Sequence, residues 1–247
     1  MRFLLIDNSN TRTKFALSSS EALETWRTII PTAEISEQTL SSHLKDIAWD
    51  AVLISSVVPA KAEIMQTFFS SSPCHRLTHL SNLPIGINYP RPEQIGADRL
   101  ANASAAYELF GSPSIVLDFG TAVTFDIIAD KENSEAVYQG GLIAPGLASM
   151  TEGLARRTAL LPHIELEEPE QAIGKSTEQA MLAGAVYGYR GLVRELLTKV
   201  QEEIPAKAQI IATGGDSELI SRGLPEIKHH SPQLTLEGLR IIANLNF

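Results

Sequence analysis

The stretch LLIDNSNTRTKFAL, residues 4–17, is an apolar run that ends on Asp7, crosses a short polar turn and resumes as a second apolar run. The stretch VLDFGTAVTFDII, residues 116–128, repeats this pattern around Asp118. Apolar, β-prone segments on both sides of small polar residues are typical of a β-hairpin. Each stretch therefore predicts a hairpin whose turn carries a carboxylate and small side chains.

The two stretches also indicate an internal duplication. One such hairpin is uninformative, because Asp, Asn, Ser and Thr are ordinary turn formers. The second hairpin lies 111 positions after the first (118 − 7), which is close to half of the 247 residues. We infer two related domains, residues 1–114 and 115–247, with one cleft between them in which each turn reaches the same ligand. The alignment on the aspartates places Asp118 on Asp7, Gly120 on Ser9 and Thr124 on Thr13.

The composition predicts a soluble cytoplasmic protein with no membrane partner. Hydrophobic residues make up 44% of the sequence, which is enough for a proper core. The first apolar run, FLLI, is too short for a secretory signal, and no stretch reaches the roughly 18 apolar residues of a spanning helix. The one cysteine, Cys74, allows neither an internal disulfide nor a cysteine-based metal site.

The charge argues against a nucleic-acid partner. Lys and Arg number 20 against 29 Asp and Glu, a formal net charge of −9, whereas binding a phosphate backbone requires clustered positive charge. A small anionic ligand needs only a few local cations and backbone N–H donors. Such cations stand in or beside turn-like stretches at Arg12, Lys14, Arg99 and Lys175.

Strand and helix patterns alternate along the chain, which predicts an α/β protein whose sheets are covered by helices. Residues 76–94 contain three prolines and no periodicity, which indicates a long functional loop. The predicted strands cover residues 2–7, 13–18, 51–56, 114–118, 122–129 and 208–213. The predicted helices cover residues 36–46, 60–70, 97–110, 177–202 and 235–244.

Three familiar motifs lack the context that their functions require. GKST, residues 174–177, ends like a phosphate-binding P-loop, but Pro169 occupies the position of the first glycine of that loop. DFG, residues 118–120, resembles the magnesium motif of protein kinases, but no His-Arg-Asp loop precedes it. His75 and His79 have the spacing of a helical metal pair without the glutamate of an HExxH motif.

A third element accompanies the two hairpins. TGG, residues 213–215, follows the apolar strand AQIIA and precedes a predicted helix. Glycines there let a flat ring lie against the backbone, as an adenine pocket requires. Two phosphate turns with a Gly-Gly turn after a late strand resemble the superfamily of actin, heat-shock chaperone ATPases and sugar kinases. That resemblance implies a duplicated, ribonuclease H-like fold with ATP between the two domains.

Six further motifs resemble the signature of one family in that superfamily, the type III pantothenate kinases. They follow the family's order along the whole chain: SSVVP (55–59), GADRLANASAAY (96–107), GGLIAPGLASM (140–150), TALLP (158–162), IGKST (173–177) and LEGLRIIANLN (236–246). The resemblance implies ATP-dependent phosphorylation of the primary hydroxyl of pantothenate to 4'-phosphopantothenate, the first step toward coenzyme A. It also implies a homodimer that needs Mg²⁺ and a monovalent cation, K⁺ or NH₄⁺.

Two positions depart from the family's pattern. Ser9 stands where the first loop, Asp-x-Gly-Asn-Thr, has glycine, and Ser176 stands where the later motif has asparagine. Serine at position 9 predicts a less open turn, while Ser176 keeps a hydrogen-bonding side chain. Ser176 and Gln179 also have the spacing of a capping box ahead of helix 177–202.

On the acceptor side, the resemblance implies that Asp98 is the general base and that Arg99 holds pantothenate or the transferring phosphate. Taken singly, an aspartate at a helix start is explained equally well as a cap or first-turn charge. Tyr89 taken singly is explained by packing. The implied substrate-contacting positions are Tyr89, Gly96, Ala97, Asp98, Arg99 and Thr177.

On the ATP side, the resemblance implies that the first hairpin holds the phosphates, with Asp7 acting through metal-bound water and Asn10 and Thr11 making direct contacts. In the second hairpin, Asp118 corresponds to the monovalent-cation ligand, and Gly120 leaves room for the phosphates. A turn or cap bond explains each hydroxyl equally well when it is taken singly. The implied ATP-binding positions are Asp7, Asn8, Ser9, Asn10, Thr11, Arg12, Thr13, Lys14 and Thr121.

Helix 177–202 carries glycine at positions 184, 188 and 191, which share one face. Each glycine destabilises an isolated helix by about 1 kcal/mol relative to alanine, so the face predicts a close approach of another backbone. In a dimeric family this predicts a subunit contact, and a helix contact within the domain explains the glycines equally well.

Two other functions stay open at this stage. One is a kinase of the same fold that acts on another small acceptor. The other is a non-catalytic accessory or regulatory protein, which the family also includes. The presence of Asp98, Arg99, Asp118 and Thr121 favours catalysis over the accessory function, and the acidic charge disfavours direct DNA binding.

Overall fold

The computed structural model describes residues 1–131 and 135–247, in which strands and helices alternate. The strands are β1 (Phe3–Asn8), β2 (Arg12–Ser18), β3 (Leu23–Pro31), β4 (Ala51–Ser56), β5 (Cys74–Arg76), β6 (Gly86–Ile87), β7 (Ser114–Phe119), β8 (Ala122–Asp130), β9 (Ala136–Pro145), β10 (Gln209–Gly214) and β11 (His229–His230). The α-helices are α1 (Glu37–Leu44), α2 (Pro59–Phe68), α3 (Ala97–Phe110), α4 (Leu147–Arg157), α5 (Thr177–Glu203), α6 (Ser217–Ser221) and α7 (Leu234–Asn246).

The chain forms two compact units that do not follow a single cut. The first unit contains Met1–Phe110, Asp130–Gln139 and Gln233–Phe247. The second contains Gly111–Ala129 and Gly140–Pro232. The division into residues 1–114 and 115–247 concerns the two sequence copies and stays a prediction.

Both units contain a sheet of the same connectivity. In the first, the strand order is β3-β2-β1-β4-β5, with β1 antiparallel to β2 and parallel to β4. The second sheet has the order β6-β9-β8-β7-β10-β11, with β7 antiparallel to β8 and parallel to β10, so its strands from β9 to β11 repeat the order of the first sheet. This repeated order confirms the duplicated α/β fold that the two hairpins predict.

The two hairpin turns differ in length by one residue. Between the last paired residues of its two strands, the first hairpin has a turn of four residues, and the second hairpin has a turn of three. As a result, Lys14 lies opposite Asp7, whereas Thr124 lies opposite Asp118. The sequence alignment of Thr13 with Thr124 is therefore wrong by one position, because the longer first turn shifts the returning strand.

Strand β1 explains why the first apolar run contains no polar residue before Asp7. Every residue of β1 is buried, as expected for a strand covered on both faces. Phe3 and Leu5 pack in a cluster with α3 and α7, and Leu4 and Ile6 pack in a second cluster with α1 and α2. The period of two along the strand thus supplies two cores at once.

Helices α3 and α7 are the equivalent last helices of the two copies, and they pack closely within the first unit. A side chain at Gly238 would collide with the carbonyl oxygen of Ala101, so the two backbones nearly touch. Beside this contact, Thr235 Oγ1 donates to Asn102 Oδ1 at 2.8 Å. This packing places the carboxyl-terminal helix in the first unit.

Most predicted elements occur within a few residues of their expected bounds, and α3 has the predicted bounds. The predicted loop at 76–94 is present except for Arg76, which ends β5, the two-residue β6 and a 3-10 turn at Pro92–Gln94, and its functional role stays a prediction. None of the described helices combines the length and the apolar character that crossing a bilayer requires. The sequence predictions missed six elements, namely β3, β5, β6, β9, β11 and α4.

The missed elements have ordinary physical causes. β3 and β9 lack clear sequence signals. In β3 the burial alternates, but polar Glu24 and Thr28 occupy less exposed positions and Ile29 an exposed one, while two glycines interrupt AVYQGGLIAP in β9. β5, β6 and β11 are two or three residues long and exist through pairing with longer strands. Helix α4 contains Gly153, which lowers its helix propensity.

Residues 158–176 contain no helix or strand, yet one ion pair ties this segment to α5. Arg190 on α5 is buried, and its guanidinium donates to both carboxylate oxygens of Glu168 at 2.8 and 2.7 Å. The same guanidinium donates to the carbonyl of Leu219 at 2.6 Å. Nearby, Tyr187 Oη donates to the Pro169 carbonyl at 3.3 Å. The segment of residues 158–176, which precedes Thr177, is therefore tied to α5 near its middle.

Replacing Glu168 by glutamine should change how stability depends on pH. The Arg190 hydrogen bonds lower the pKa of Glu168 from its ordinary value of 4.5. A carboxyl whose pKa is lowered by folding stabilises the protein above its unfolded pKa, and this contribution disappears as the pH falls through the folded pKa. We expect Glu168→Gln to cost about 1 kcal/mol near neutral pH, because the carboxylate is partly solvent-screened, and to approach the stability of the unmodified protein in acid.

Urea unfolding from about pH 3 to pH 7 measures this difference. Glu202→Gln is the matched control, because Glu202 pairs with Lys199 on an exposed helix surface and should change stability less. A difference between Glu168→Gln and the unmodified protein that stays constant down to pH 3 would contradict the assignment.

Candidate active site

The carboxylate that ends the first apolar run is buried at the base of the first hairpin. Asp7 is 2% exposed and is the last residue but one of β1. Its Oδ2 accepts from Lys14 Nζ at 3.1 Å, and its Oδ1 lies 3.4 Å from Ser9 Oγ, which donates to it. Because Lys14 lies directly opposite in the strand pairing, backbone register brings the cation to the carboxylate.

A chain of side-chain hydrogen bonds at the base of the first hairpin holds its turn in place. Asn8 Nδ2 donates to Thr13 Oγ1 at 2.7 Å, and the Thr13 and Thr32 hydroxyls are 3.0 Å apart. Thr32 Oγ1 donates to the Ser9 carbonyl at 2.7 Å, so Thr13 supplies the hydrogen between the two hydroxyls. Ser56 Oγ donates to Asn8 Oδ1 at 2.6 Å. The side chains of Asn8 and Thr13 are thus buried and engaged with the protein.

The tip of the first turn has the opposite character. Asn10, Thr11 and Arg12 are exposed, and Ser9 is half-buried. The turn is closed by Ser9 N donating to the Arg12 carbonyl at 3.1 Å. The predicted ATP contacts therefore divide into buried positions that shape the turn and tip positions that a ligand can reach.

Oxygen ligands suited to Mg²⁺ are present at this turn. Mg²⁺ prefers carboxylate oxygens and is usually held by one or two carboxylates together with substrate phosphates. Asp7 offers such a carboxylate. In the described part of the chain, no group of three His, Cys, Asp or Glu side chains gathers as a protein-only metal site. The Asp7 carboxylate is therefore a residue that fits Mg²⁺.

The acceptor-side residues lie at the first turn of α3. Gly96 precedes the helix, and a Cβ there would lie 2.5 Å from Asp98 Oδ1. Asp98 is half-buried, and its Oδ1 accepts the Arg99 backbone N–H at 2.8 Å. Asp98 is the second residue of α3, so this bond satisfies a first-turn amide, and the missing side chain of Gly96 leaves room for the carboxylate. Ala97 is buried against the sheet.

Tyr138 joins two predicted substrate residues within the first unit. The Arg99 guanidinium lies 5.8 Å from the centroid of the buried Tyr138 ring, and the Tyr89 ring meets that ring edge-on at 6.3 Å. Tyr89 is 37% exposed. The backbone next to Tyr89 is tied to β9, because Asn88 N donates to the Tyr138 carbonyl at 2.9 Å. Tyr138 therefore supports both an aromatic and a cationic side chain.

In the second unit, the turn of the second hairpin is buttressed by the start of α4. The amide of Gly146 and the hydroxyl of Ser149 donate to the Thr121 carbonyl at 3.1 and 3.0 Å. A side chain at Gly146 would collide with the carbonyl oxygens of Gly120 and Thr121. The backbone of this turn is therefore fixed, while Gly120 and Thr121 themselves are exposed.

Asp118 lies next to the predicted adenine turn in the same unit. It pairs with Thr213 of β10, and a Cβ at Gly214 would lie 2.6 Å from Asp118 Oδ1. Gly214 has a φ of +91°, which favours glycine. Asp216 follows in the turn, and burial raises its pKa. The predicted cation ligand and the Gly-Gly turn thus form one local structure.

Thr177 is the first residue of α5 and is exposed. The preceding Ser176 caps the helix, because its hydroxyl accepts the Gln179 N–H at 3.2 Å. The Gln179 side chain accepts from Lys175 N at 2.8 Å. The predicted capping box is therefore half right: Ser176 caps the third residue of the helix, and Gln179 bonds one residue further back than the motif expects.

The described contacts bring the predicted site residues together in small separate groups, and they do not bring Thr177 to any of the others. The first unit brings Tyr89 and Arg99 together on one ring and Asp7 together with Lys14, and the second brings Asp118 beside the Gly-Gly turn. Four residues that support these groups are not marked by any local motif: Thr32, Tyr138, Ser217 and His230. Thr32, Tyr138 and His230 reach their partners from distant segments, whereas Ser217 donates to the Gly214 carbonyl only three residues away.

Comparison with known proteins places these groups in a family. The family model described as type III pantothenate kinase matches residues 3–199. A type III pantothenate kinase of Akkermansia muciniphila is 53% identical over 246 residues, covering 100% of both chains. Another, from Methylacidiphilum infernorum, is 41% identical and covers 98% of this chain and 88% of its own.

Solved structures show the fold independently of sequence. A protein named as a 2-dehydro-3-deoxygalactonokinase from Sinorhizobium meliloti superposes with a TM-score of 0.63 at 12% identity, covering 98% of this chain and 96% of its own. A protein named as a Baf family transcriptional activator from Campylobacter jejuni gives 0.61 at 19% identity, with coverages of 98% and 97%. The fold is that of sugar kinases and actin-like ATPases, and by sequence the chain belongs to the type III pantothenate kinase family.

Proposed function

We propose that this protein transfers the γ-phosphoryl group of ATP to the primary hydroxyl of pantothenate, giving ADP and 4'-phosphopantothenate, the first step toward coenzyme A. Family membership supports the reaction, and the first turn of α3 carries the proposal. There Gly96 leaves room for the Asp98 carboxylate, and the adjacent Arg99 guanidinium stacks on Tyr138. Transfer to an alcohol requires such a proton acceptor and such a cation at one place.

Asp98 is the proposed general base. Its place in the first turn of α3 lets the helix dipole stabilise its negative charge. An ionised carboxylate of this kind is a weak base, which suffices because the hydroxyl proton leaves late in a loose transition state. The Arg99 guanidinium is proposed to hold pantothenate or the transferring phosphate through parallel N–H donors. Tyr89 and Thr177 are proposed further contacts to pantothenate.

The tip of the first turn is proposed to hold the phosphates of ATP. Asn10, Thr11 and Arg12 are exposed there and offer an amide, a hydroxyl and a cation. The buried Asn8 and Thr13 are proposed to act indirectly, because their side chains already bind each other. Asp7, through metal-bound water, and the phosphates would hold Mg²⁺, which would supply positive charge to the transferring group.

Asp118 and Thr121 are proposed to bind a monovalent cation and ATP, respectively. The Asp118 carboxylate near the end of β7 offers oxygen ligands for K⁺ or NH₄⁺. Two hydrogen bonds from the start of α4 to the Thr121 carbonyl hold the turn after β7 in place. The protein is also proposed to act in the cytoplasm, with ATP and pantothenate as its small-molecule partners.

We further propose that the glycine face of α5 is a contact between two copies of the chain. Gly184, Gly188 and Gly191 are exposed, and a Cβ added at each would meet no described atom within 4 Å. At these positions the described residues therefore provide no helix contact within the domain. The neighbouring α4 also exposes Met150 and Leu154, which a second copy would cover.

Pantothenate-dependent ADP formation by the purified protein tests the proposed reaction. With Mg²⁺ and ATP, we expect turnover that requires pantothenate and increases when K⁺ replaces Na⁺. Asp98→Asn should keep the fold and ATP binding but lower kcat by about 10²- to 10⁴-fold, because the proton acceptor is lost. If the folded protein shows no pantothenate-dependent turnover in either salt, the proposed reaction is contradicted. A near-normal kcat in Asp98→Asn would contradict the assignment of Asp98 as the general base.

Gly96→Ala tests the room that Asp98 needs. The added methyl group would push the carboxylate out of place, because it would lie 2.5 Å from Asp98 Oδ1. Misplacing a catalytic group by about 1 Å can lower the reaction rate up to 10²-fold. We therefore expect kcat to fall about 10- to 100-fold, with little change in the KM for ATP. Gly153→Ala is the matched control, because a Cβ there meets nothing within 4 Å. Equal kcat in the two variants would refute the positioning role.

Gly188→Leu tests the proposed contact between copies. A bulky side chain on a face that receives another backbone should separate the dimer and give the mass of one chain, 26.8 kDa, by light scattering. Gln66→Leu, an exposed position on α2, should leave the dimer intact. A dimer that persists in Gly188→Leu would argue against this face.

A further inference from the structure

The Gly-Gly turn after β10 packs against the end of β7 on one side only. A Cβ at Gly214 would lie 2.6 Å from both Asp118 Oδ1 and Phe119 N, so the turn rests directly on the end of β7. The amide of Asp216 donates to the Phe119 carbonyl at 3.3 Å. By contrast, a Cβ at Gly215 would meet nothing within 4 Å. One side of the turn is thus packed, and the other is open.

A chain of two hydrogen bonds orients the carbonyl of this turn. Ser217 Oγ donates to the Gly214 carbonyl at 2.6 Å and lies 2.7 Å from His230 Nε2. A carbonyl can only accept, so the one hydroxyl hydrogen of Ser217 goes to Gly214. His230 Nε2 must therefore carry a hydrogen and donate it to Ser217 Oγ. Both the Nε2–H tautomer and the imidazolium meet this requirement.

Strand pairing places the imidazole where this contact forms. His230 is paired with Ala212 in the parallel β10–β11 ladder, and Ser231 N donates to the Ala212 carbonyl at 2.9 Å. Ser217 is only 2% exposed, so bulk water does not readily replace the imidazole as its donor. The short β11, which the sequence pattern missed, thus delivers a side chain to the base of the turn.

We propose that His230 is a positioning residue for the nucleotide. Through Ser217 it holds the Gly214 carbonyl, and so holds the Gly-Gly turn in the shape that receives the adenine ring. This inference rests on the proposed function, in which that turn binds ATP. It assigns His230 an effect on ATP affinity and none on the pantothenate side, whose residues lie on other elements.

ATP affinity in the absence of pantothenate tests the inference. Isothermal calorimetry with Mg²⁺ should give a Kd about fivefold weaker for His230→Leu, the size of effect expected for one lost hydrogen bond. Ser217→Ala should weaken ATP binding to a similar degree. The double variant should lose no more than the larger single loss, because both changes break the same chain.

Two controls separate positioning from a general loss of stability. His230→Gln keeps a side-chain N–H donor of similar reach and should restore the Kd to within about twofold. His229→Leu changes the adjacent histidine, which contacts Gln209 instead, and should leave the Kd unchanged. In steady state, His230→Leu should raise the KM for ATP and leave the KM for pantothenate unchanged.

Unaltered ATP affinity in both His230→Leu and Ser217→Ala would overturn the inference. So would equal increases in the two KM values, since they would indicate a general structural effect. If the unmodified protein bound no ATP, the proposed function would fall and this inference with it. If the unmodified protein binds ATP and the Kd is unchanged in the His230 variants, this inference is overturned and the proposed function stands.

Discussion

Both sheets depend on one constraint: the first strand of each copy pairs antiparallel with its hairpin partner and parallel with a later strand. Parallel neighbours end at the same edge of a sheet, and ligand sites form outside those carboxyl ends. The pairing therefore sets Asp7 beside Ser55 and Asp118 beside Thr213. Backbone register, more than side-chain packing, decides where the two carboxylates lie. This is why a carboxylate follows a fully apolar run in each copy.

Close backbone approach is the second requirement of the candidate site. Gly96 leaves room for the Asp98 carboxylate, and Gly214 leaves room for the Asp118 carboxylate. Gly146 lets the start of α4 reach the second hairpin turn. At each position even one methyl group would displace a group to which we assign a function. Ser9, where the family pattern has glycine, shows the converse, because its hydroxyl is used to donate to Asp7.

The hairpins, the duplication and the start of α3 could be predicted from sequence because local patterns determine them. Period-two apolar runs mark buried strands, and Gly-Ala-Asp-Arg marks a helix start that carries an acid and a cation. Tyr138 and His230 could not be predicted, because strands that are distant in sequence or very short bring them to their partners. The register of the second hairpin was misaligned for a related reason: turn length cannot be read from the aspartates alone.

In the proposed reaction, the Asp98 carboxylate faces the hydroxyl that receives the phosphoryl group. A crystal structure of the protein with pantothenate and a non-hydrolysable ATP analogue would test this directly. We expect the primary hydroxyl of pantothenate to lie about 2.6–3.2 Å from a carboxylate oxygen of Asp98, the range of a productive hydrogen bond. A bound pantothenate whose hydroxyl contacts a different proton acceptor, with Asp98 turned toward its own helix, would contradict it.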